Sequence, residues 1–209
     1  MKIETLNPIK ILIYGDERID FIQNIITNDI LNDSKSLYSY ILTPQGKILF
    51  EIQINFMNDY LEIICSNDQS DLFSYFEKYA KLSDISLQKF RLNIANYGED
   101  YFLNSLKMGR LDTNFLPHST LIPSEVHDEY INYQKGCFVG QEVVSRIKHR
   151  QLQKKNILIF EKIDQNSSNL PNNFDLLIEI ENFLVLRLPK DIEYSNLESE
   201  FGLRKISCF

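Results

Sequence analysis

Residues 44–56 constrain the fold more than any other stretch. Behind a Pro44-Gln45-Gly46 turn, Ile48, Phe50, Ile52, Ile54 and Phe56 alternate with Leu49, Glu51, Gln53 and Asn55. A repeat of two belongs to extended backbone, where successive side chains point to opposite faces. With LYSYILT before the turn, the stretch reads as a β-hairpin with one dry and one wet face. On that reading Glu51 shares the wet face with Lys47 and Gln53 and is solvated.

The hairpin sits in a chain of alternating elements. IKILIY (residues 9–14) reads as a strand, and in ERIDFIQNIITND the apolar residues Ile19, Phe21, Ile22, Ile25 and Ile26 fall at helical spacing. YLEIICS is a further strand. In DQSDLFSYFEKYAKL, Leu72, Phe73, Phe76, Tyr79 and Ala80 form one stripe of a helix capped by Asn67 or Asp68, and ISLQKFRLNIA follows as another strand. Strand, helix, three strands, helix, strand suits an antiparallel or mixed sheet with helices on one face, an α+β class of roughly ferredoxin-like type. Between about 97 and 134 periodicity weakens, which predicts a long ordered loop with short helical turns. In it, His118 and His127 read as surface or hydrogen-bonded histidines. From about 152, NILIFEKI, FDLLIEI and FLVLRL form a small β-rich unit, so the expected domains are 1–151 and 152–209.

Composition narrows the function. The 209 residues carry a formal net charge of -7, with a sequence pI near 5.0, which argues against direct nucleic-acid binding and for small-molecule or protein partners. No apolar run approaches the roughly 20 residues of a spanning helix, and the N-terminus lacks an apolar leader, so a cytoplasmic protein without a membrane partner is expected. Three widely spaced cysteines, Cys65, Cys137 and Cys208, make neither a disulfide framework nor a metal clip. With only three histidines and no ligand spacing among them, no metal site is expected. Cys65 reads as packing in its strand.

One local exception to the acidic balance is NYQKGCFVGQEVVSRIKHR, residues 132–150. From 135 to 155 the bases are Lys135, Arg146, Lys148, Arg150, Lys154 and Lys155, against the single acid Glu142. That run suits either an anion site or a solvated helix face. Gly136 and Gly140 flank Cys137, which stands just before the helix QEVVSRIKHR, where backbone amides and the helix dipole favour a thiolate. Cys137 is therefore either a working thiol or a small packed side chain.

The run from Lys135 to Glu142, with Arg146, resembles the K-G-C-[FY]-x-G-Q-E-x-x-x-R signature of the YgfZ-type folate-binding proteins, relatives of the glycine-cleavage T-protein (aminomethyltransferase). GDERIDFIQNIITND, LTPQGKILFEIQI and the proline-led LIPSEVHDEYINYQKGC extend the resemblance over about the first 150 residues. It implies a T-protein-like fold of ferredoxin-like units around a folate cavity, with a small C-terminal β-domain. It further implies an accessory protein that binds tetrahydrofolate and supports iron-sulfur cluster assembly or repair in client enzymes, tRNA-modifying ones included. Cys137 carries over as the functional thiol, and Lys135, Gln141, Glu142 and Arg146 as folate-binding residues. The partners implied are a reduced folate and iron-sulfur client or assembly proteins.

Departures bear on the alternative, a folate-dependent aminomethyltransferase. Where that class carries paired acids after the hairpin turn, this chain has Phe50-Glu51. Where it carries an R-x-E-x-G turn, this chain has Ser105-Leu106-Lys107-Met108-Gly109. Proton transfer needs a group within about 3 Å of the reacting nitrogen, so a solvated Glu51 places the accessory role first. A third class is a partner-binding module that keeps the fold without folate, with Phe73, Tyr75, Phe76 and Tyr79 as an interface; helical spacing makes these core residues instead.

Overall fold

The computed structural model describes residues 7–31, 35–68, 70–92, 99–116, 120–163 and 170–206. Strand β1 (Ile9–Tyr14) is joined on both edges, by β4 (Tyr60–Cys65) and β5 (Ser86–Arg91). With β2 (Ser36–Leu42) and β3 (Ile48–Phe56) these make a five-stranded antiparallel sheet in the order β2-β3-β4-β1-β5. Ile11, Ile13, Ile52, Ile54 and Ile63 line one face. Helices α1 (Arg18–Gln23) and α2 (Leu72–Ala80) cover it with Phe21, Ile22, Leu72 and Phe76. Leu72 and Phe76 of the aromatic stripe are thus core, as is Cys65, while Tyr79 keeps an exposed edge.

Two departures from periodicity have local causes. Helix α1 stops at Gln23, although apolar spacing continues to Ile26. The backbone there is claimed by β2: Ile26 bridges to Ile41 and the Thr27 N–H donates to the Tyr40 carbonyl at 2.9 Å. The region expected as a loop contains a helix, α3 (Glu99–Lys107), whose Phe102, Leu103 and Leu106 are buried. Beyond it the chain does run through short 3-10 turns, at Thr113–Phe115, Pro123–Glu125 and Asp128–Tyr130.

After α4 (Gln141–His149) a second antiparallel sheet is built from β6 (Lys155–Lys162), β7 (Asp175–Ile180), β8 (Phe183–Pro189) and β9 (Leu203–Lys205), in the order β7-β8-β6-β9. Helix α5 (Tyr194–Phe201) and β9 carry little apolar repeat of their own and are held by Leu197 and Leu203, which pack with Phe160, Leu184 and Leu186. The other face, with Ile157, Ile159, Ile178 and Val185, joins Tyr40, Leu42, Phe102, Phe115, Phe138 and Val144 in one core. Both sheets therefore share an apolar interior, the layered arrangement of an α+β protein with antiparallel sheets. Among the described residues no helix is long and apolar enough to cross a membrane.

Candidate functional site

The signature residues occupy three different settings. Lys135 is buried, and its ammonium donates to the carbonyls of Gln23, Ile26 and Asn28 at 2.6, 2.7 and 2.9 Å. Three acceptors need three donors, which only the charged form supplies. Burial lowers its pKa to about 8, with Asp29 opposing, so it is charged at neutral pH. Lys135 thus fastens its loop to the chain leaving α1. Gly140, at φ +83°, caps α4 against the hairpin turn, where a Cβ would lie 2.6 Å from the Thr43 carbonyl oxygen. Gly46 meets α4 from the other side, where a Cβ would lie 3.0 Å from Val143 Cγ1.

Cys137 is exposed and Gln141 partly buried. Glu142, with 85% of its side chain exposed, pairs with Arg146 at 2.6 Å one helical turn on. The basic run is distributed over such pairs, Lys148 with Asp128 and Lys155 with Asp175. The structure brings Glu142 and Arg146 together on α4 and directs Lys135 inward.

A small cleft of about 30 Å³ opens elsewhere, lined by Tyr38, Glu51, Gln53, Ser66, Tyr101, Arg110, Asp112 and Asn114. At its floor the expected wet face of the hairpin is covered. Glu51 is 2% exposed and Asp112 1%, so the solvated glutamate of the sequence reading is overturned. The cause is the segment after α3. Asn114 uses its carboxamide as a strand edge, accepting from the Glu51 N–H at 3.0 Å and donating to the Glu51 carbonyl at 2.8 Å. Thr113 donates to Glu51 Oε2 from its N–H at 2.8 Å and from its hydroxyl at 2.7 Å. The other oxygen, Oε1, is buried with no hydrogen-bond partner among the described residues and lies 3.8 Å from an Arg110 terminal nitrogen. The Nε of Arg110 is likewise buried and unsatisfied there.

Burial of two acids at one place shifts both. Desolvation, then Asp112, push Glu51 up to about 7 against the pull of His127 and Thr113. Desolvation also raises Asp112, opposed by Ser66, Arg110 and Asn114. Such a pair holds a proton near neutral pH, the condition for acid-base exchange with a ligand. Beside it runs a ladder of flat groups. The Arg110 guanidinium lies 4.4 Å over the Tyr38 ring, Tyr38 stacks on Tyr130 at 5.4 Å, and Tyr130 stacks on His127 at 4.7 Å. His127 is buried and hydrogen-bonded, as expected; His118 lies outside the described residues. Among those residues no group of three or more His, Cys, Asp or Glu could hold a metal ion.

Sequence reasoning missed Asp112, Arg110 and Asn114 because their partner, Glu51, lies about 60 positions away in the chain. The available signal was Gly109-Arg110, one place beyond the turn searched for an arginine, with Gly109 at φ +73°. None of the five signature residues is among the cleft-lining residues.

No family model matches the chain, and no curated protein matches it in sequence. Among solved structures it is similar to glycine cleavage system aminomethyltransferase T from Bartonella henselae, with a TM-score of 0.56 and 12% identity, over 87% of this chain and 76% of that one. The chain thus shares its fold with an aminomethyltransferase of the glycine cleavage system.

Proposed function

We propose that the protein binds a reduced folate, tetrahydrofolate in the first instance, by its pterin head in the Glu51–Arg110–Asp112 cleft. The observation that carries this is the pair of unsatisfied buried atoms, Glu51 Oε1 and Arg110 Nε, one an acceptor and one a donor. Buried polar atoms are nearly always partnered, by protein, water or ligand, so at a cleft such a pair offers one acceptor and one donor to an incoming molecule. A ligand edge with an N–H beside a C=O matches it, and the lactam edge of a pterin is such an edge. Tyr38 and Tyr101 flank the space with aromatic surface. Its volume of about 30 Å³ is far below the roughly 300–1,000 Å³ of drug-sized pockets, so only the polar edge of the pterin enters it, with the rest of the ring and the folate tail outside.

Within this reading the protein acts as an accessory to iron-sulfur enzymes, with Cys137 as its working thiol. Support for that step comes from the signature resemblance and from the exposure of Cys137, which is not among the cleft-lining residues and is open to a partner's thiol or cluster. Lys135 and Gly140 set that loop, while Gln141, Glu142 and Arg146 present a polar surface for the folate tail. A second reading, aminomethyl transfer, is favoured by one observation: Glu51, buried with a pKa near 7, is a competent proton acceptor in the cleft.

Calorimetry with tetrahydrofolate tests the proposal. Binding to the wild type and to Cys137→Ser, with loss in Arg110→Met and Glu51→Gln, is the expected result; absence of binding to the wild type rejects it. Turnover of methylene-tetrahydrofolate by the wild type would move the second reading ahead.

A further inference from the structure

We propose that His127 is a positioning residue for this cleft, clamping the loop that carries Arg110 and Asp112 only while its ring is protonated. The inference rests on the cleft being the ligand site proposed above, but the clamp can be measured without ligand. His127 Nε2 lies 2.7 Å from the Leu111 carbonyl oxygen, and Nδ1 lies 3.1 Å from Glu129 Oε1. Both partners accept only, so both nitrogens must donate, and the neutral ring has a single N–H. Leu111 sits between Arg110 and Asp112, so the bond to its carbonyl fixes the backbone that aims both side chains at Glu51. The bond to Glu129 fixes the 3-10 turn that carries Tyr130. Through Tyr130 and Tyr38 the same ring supports the face on which Arg110 rests.

The charged and titratable groups around the ring come from every neighbouring element. Glu129, Tyr130 and Asp128, the last paired with Lys148, lie on its own turn, Glu51 on β3, Arg110 and Asp112 on the loop, Tyr38 and Tyr40 on β2, and Glu125, paired with Arg187, on the 3-10 turn packed against it. Burial disfavours the imidazolium, but the Glu129 hydrogen bond, Glu51 and the Leu111 carbonyl outweigh it and hold the pKa above the ordinary histidine value. Deprotonation leaves one oxygen facing a lone pair, and either the loop or the turn is released.

The test uses the full chain in three measurements. Proton NMR of the histidine ring signals, with His127 assigned by its loss in His127→Gln, gives its titration midpoint. Amide exchange at Leu111–Asn114 without ligand should speed up at least tenfold, beyond the intrinsic pH effect, as pH rises through that midpoint. In Glu129→Gln, which removes one charge-assisted bond, midpoint and exchange step should move together to lower pH. Calorimetry with 5-formyltetrahydrofolate should show a tenfold or greater weakening across the same step in the wild type, whereas His127→Gln should keep only the pH dependence that Glu51's own titration gives, without the step at the His127 midpoint. If His127 titrates while loop exchange does not respond, or if His127→Gln keeps the wild-type binding profile, the clamp is wrong. If the folate fails to bind at any pH, the ligand assignment falls while the exchange data still judge the clamp, and they do so on the wild type and Glu129→Gln even if His127→Gln fails to fold.

Discussion

Replacing Glu51 by Gln should stabilise the ligand-free protein while abolishing its binding. In the unfolded chain Glu51 titrates near the ordinary 4.5, and in the folded cleft at about 7. Below pH 4.5 both states hold the proton and the residue contributes no pH-dependent difference. Between 4.5 and 7 the unfolded state ionises while the folded state retains its proton, so stability falls as pH rises. Above 7 the penalty is complete; at 1.36 kcal/mol per pH unit it comes to about 3 kcal/mol. Glutamine keeps an oxygen to accept from the Thr113 N–H and hydroxyl, and its uncharged amide has no ionisation to resist. Asp112 and His127, both raised, also lower stability with rising pH in both proteins; the variant lowers the His127 pKa by removing the Glu51 charge, so the difference reads Glu51 together with its coupling to His127. Urea titrations at half-unit steps from pH 4 to 8.5 should show the two proteins converging below pH 4.5 and Glu51→Gln more stable by about 3 kcal/mol above pH 7. A constant offset, or a variant that is less stable at pH 8, would refute the reasoning, because then the buried carboxylate is not strained by its burial.

Lys135→Met removes a shared donor from three carbonyls and should cost about 3–5 kcal/mol in chemical denaturation, because it strands buried acceptors; a loss below about 1 kcal/mol would mean that the clasp is ornamental. Gly140→Ala should cost more than about 2 kcal/mol, since it combines a left-handed backbone with a Cβ driven into the Thr43 carbonyl, and thermal melts would read it directly. Cys137→Ser, an exposed change, should leave stability within about 0.5 kcal/mol and tetrahydrofolate binding unaltered, while abolishing the activation of an iron-sulfur client assayed in the same lysate; normal client activity would remove the thiol from the proposal.

What could be read without the structure was local and periodic. The alternation through β3, the helical stripe of α2 and the turn at Gly46 each declare themselves because strand and helix repeats of 2 and 3.6 are imposed by backbone geometry. The signature at 135–146 was equally legible, with Lys135 and Gly140 now seen in roles that join its loop to α1 and to the hairpin turn. Where α1 ends was not legible, because competition from β2 is a contact between segments. The site was hidden for the same reason. Alternation says only that Glu51 faces away from Ile52; whether that face meets water depends on Asn114 and Thr113, more than 60 positions away, folding over it. A carboxylate's solvation, and with it the pKa that could make it useful, is a property of everything packed around it, and the chain acquires it only when the loop after α3 closes onto the hairpin.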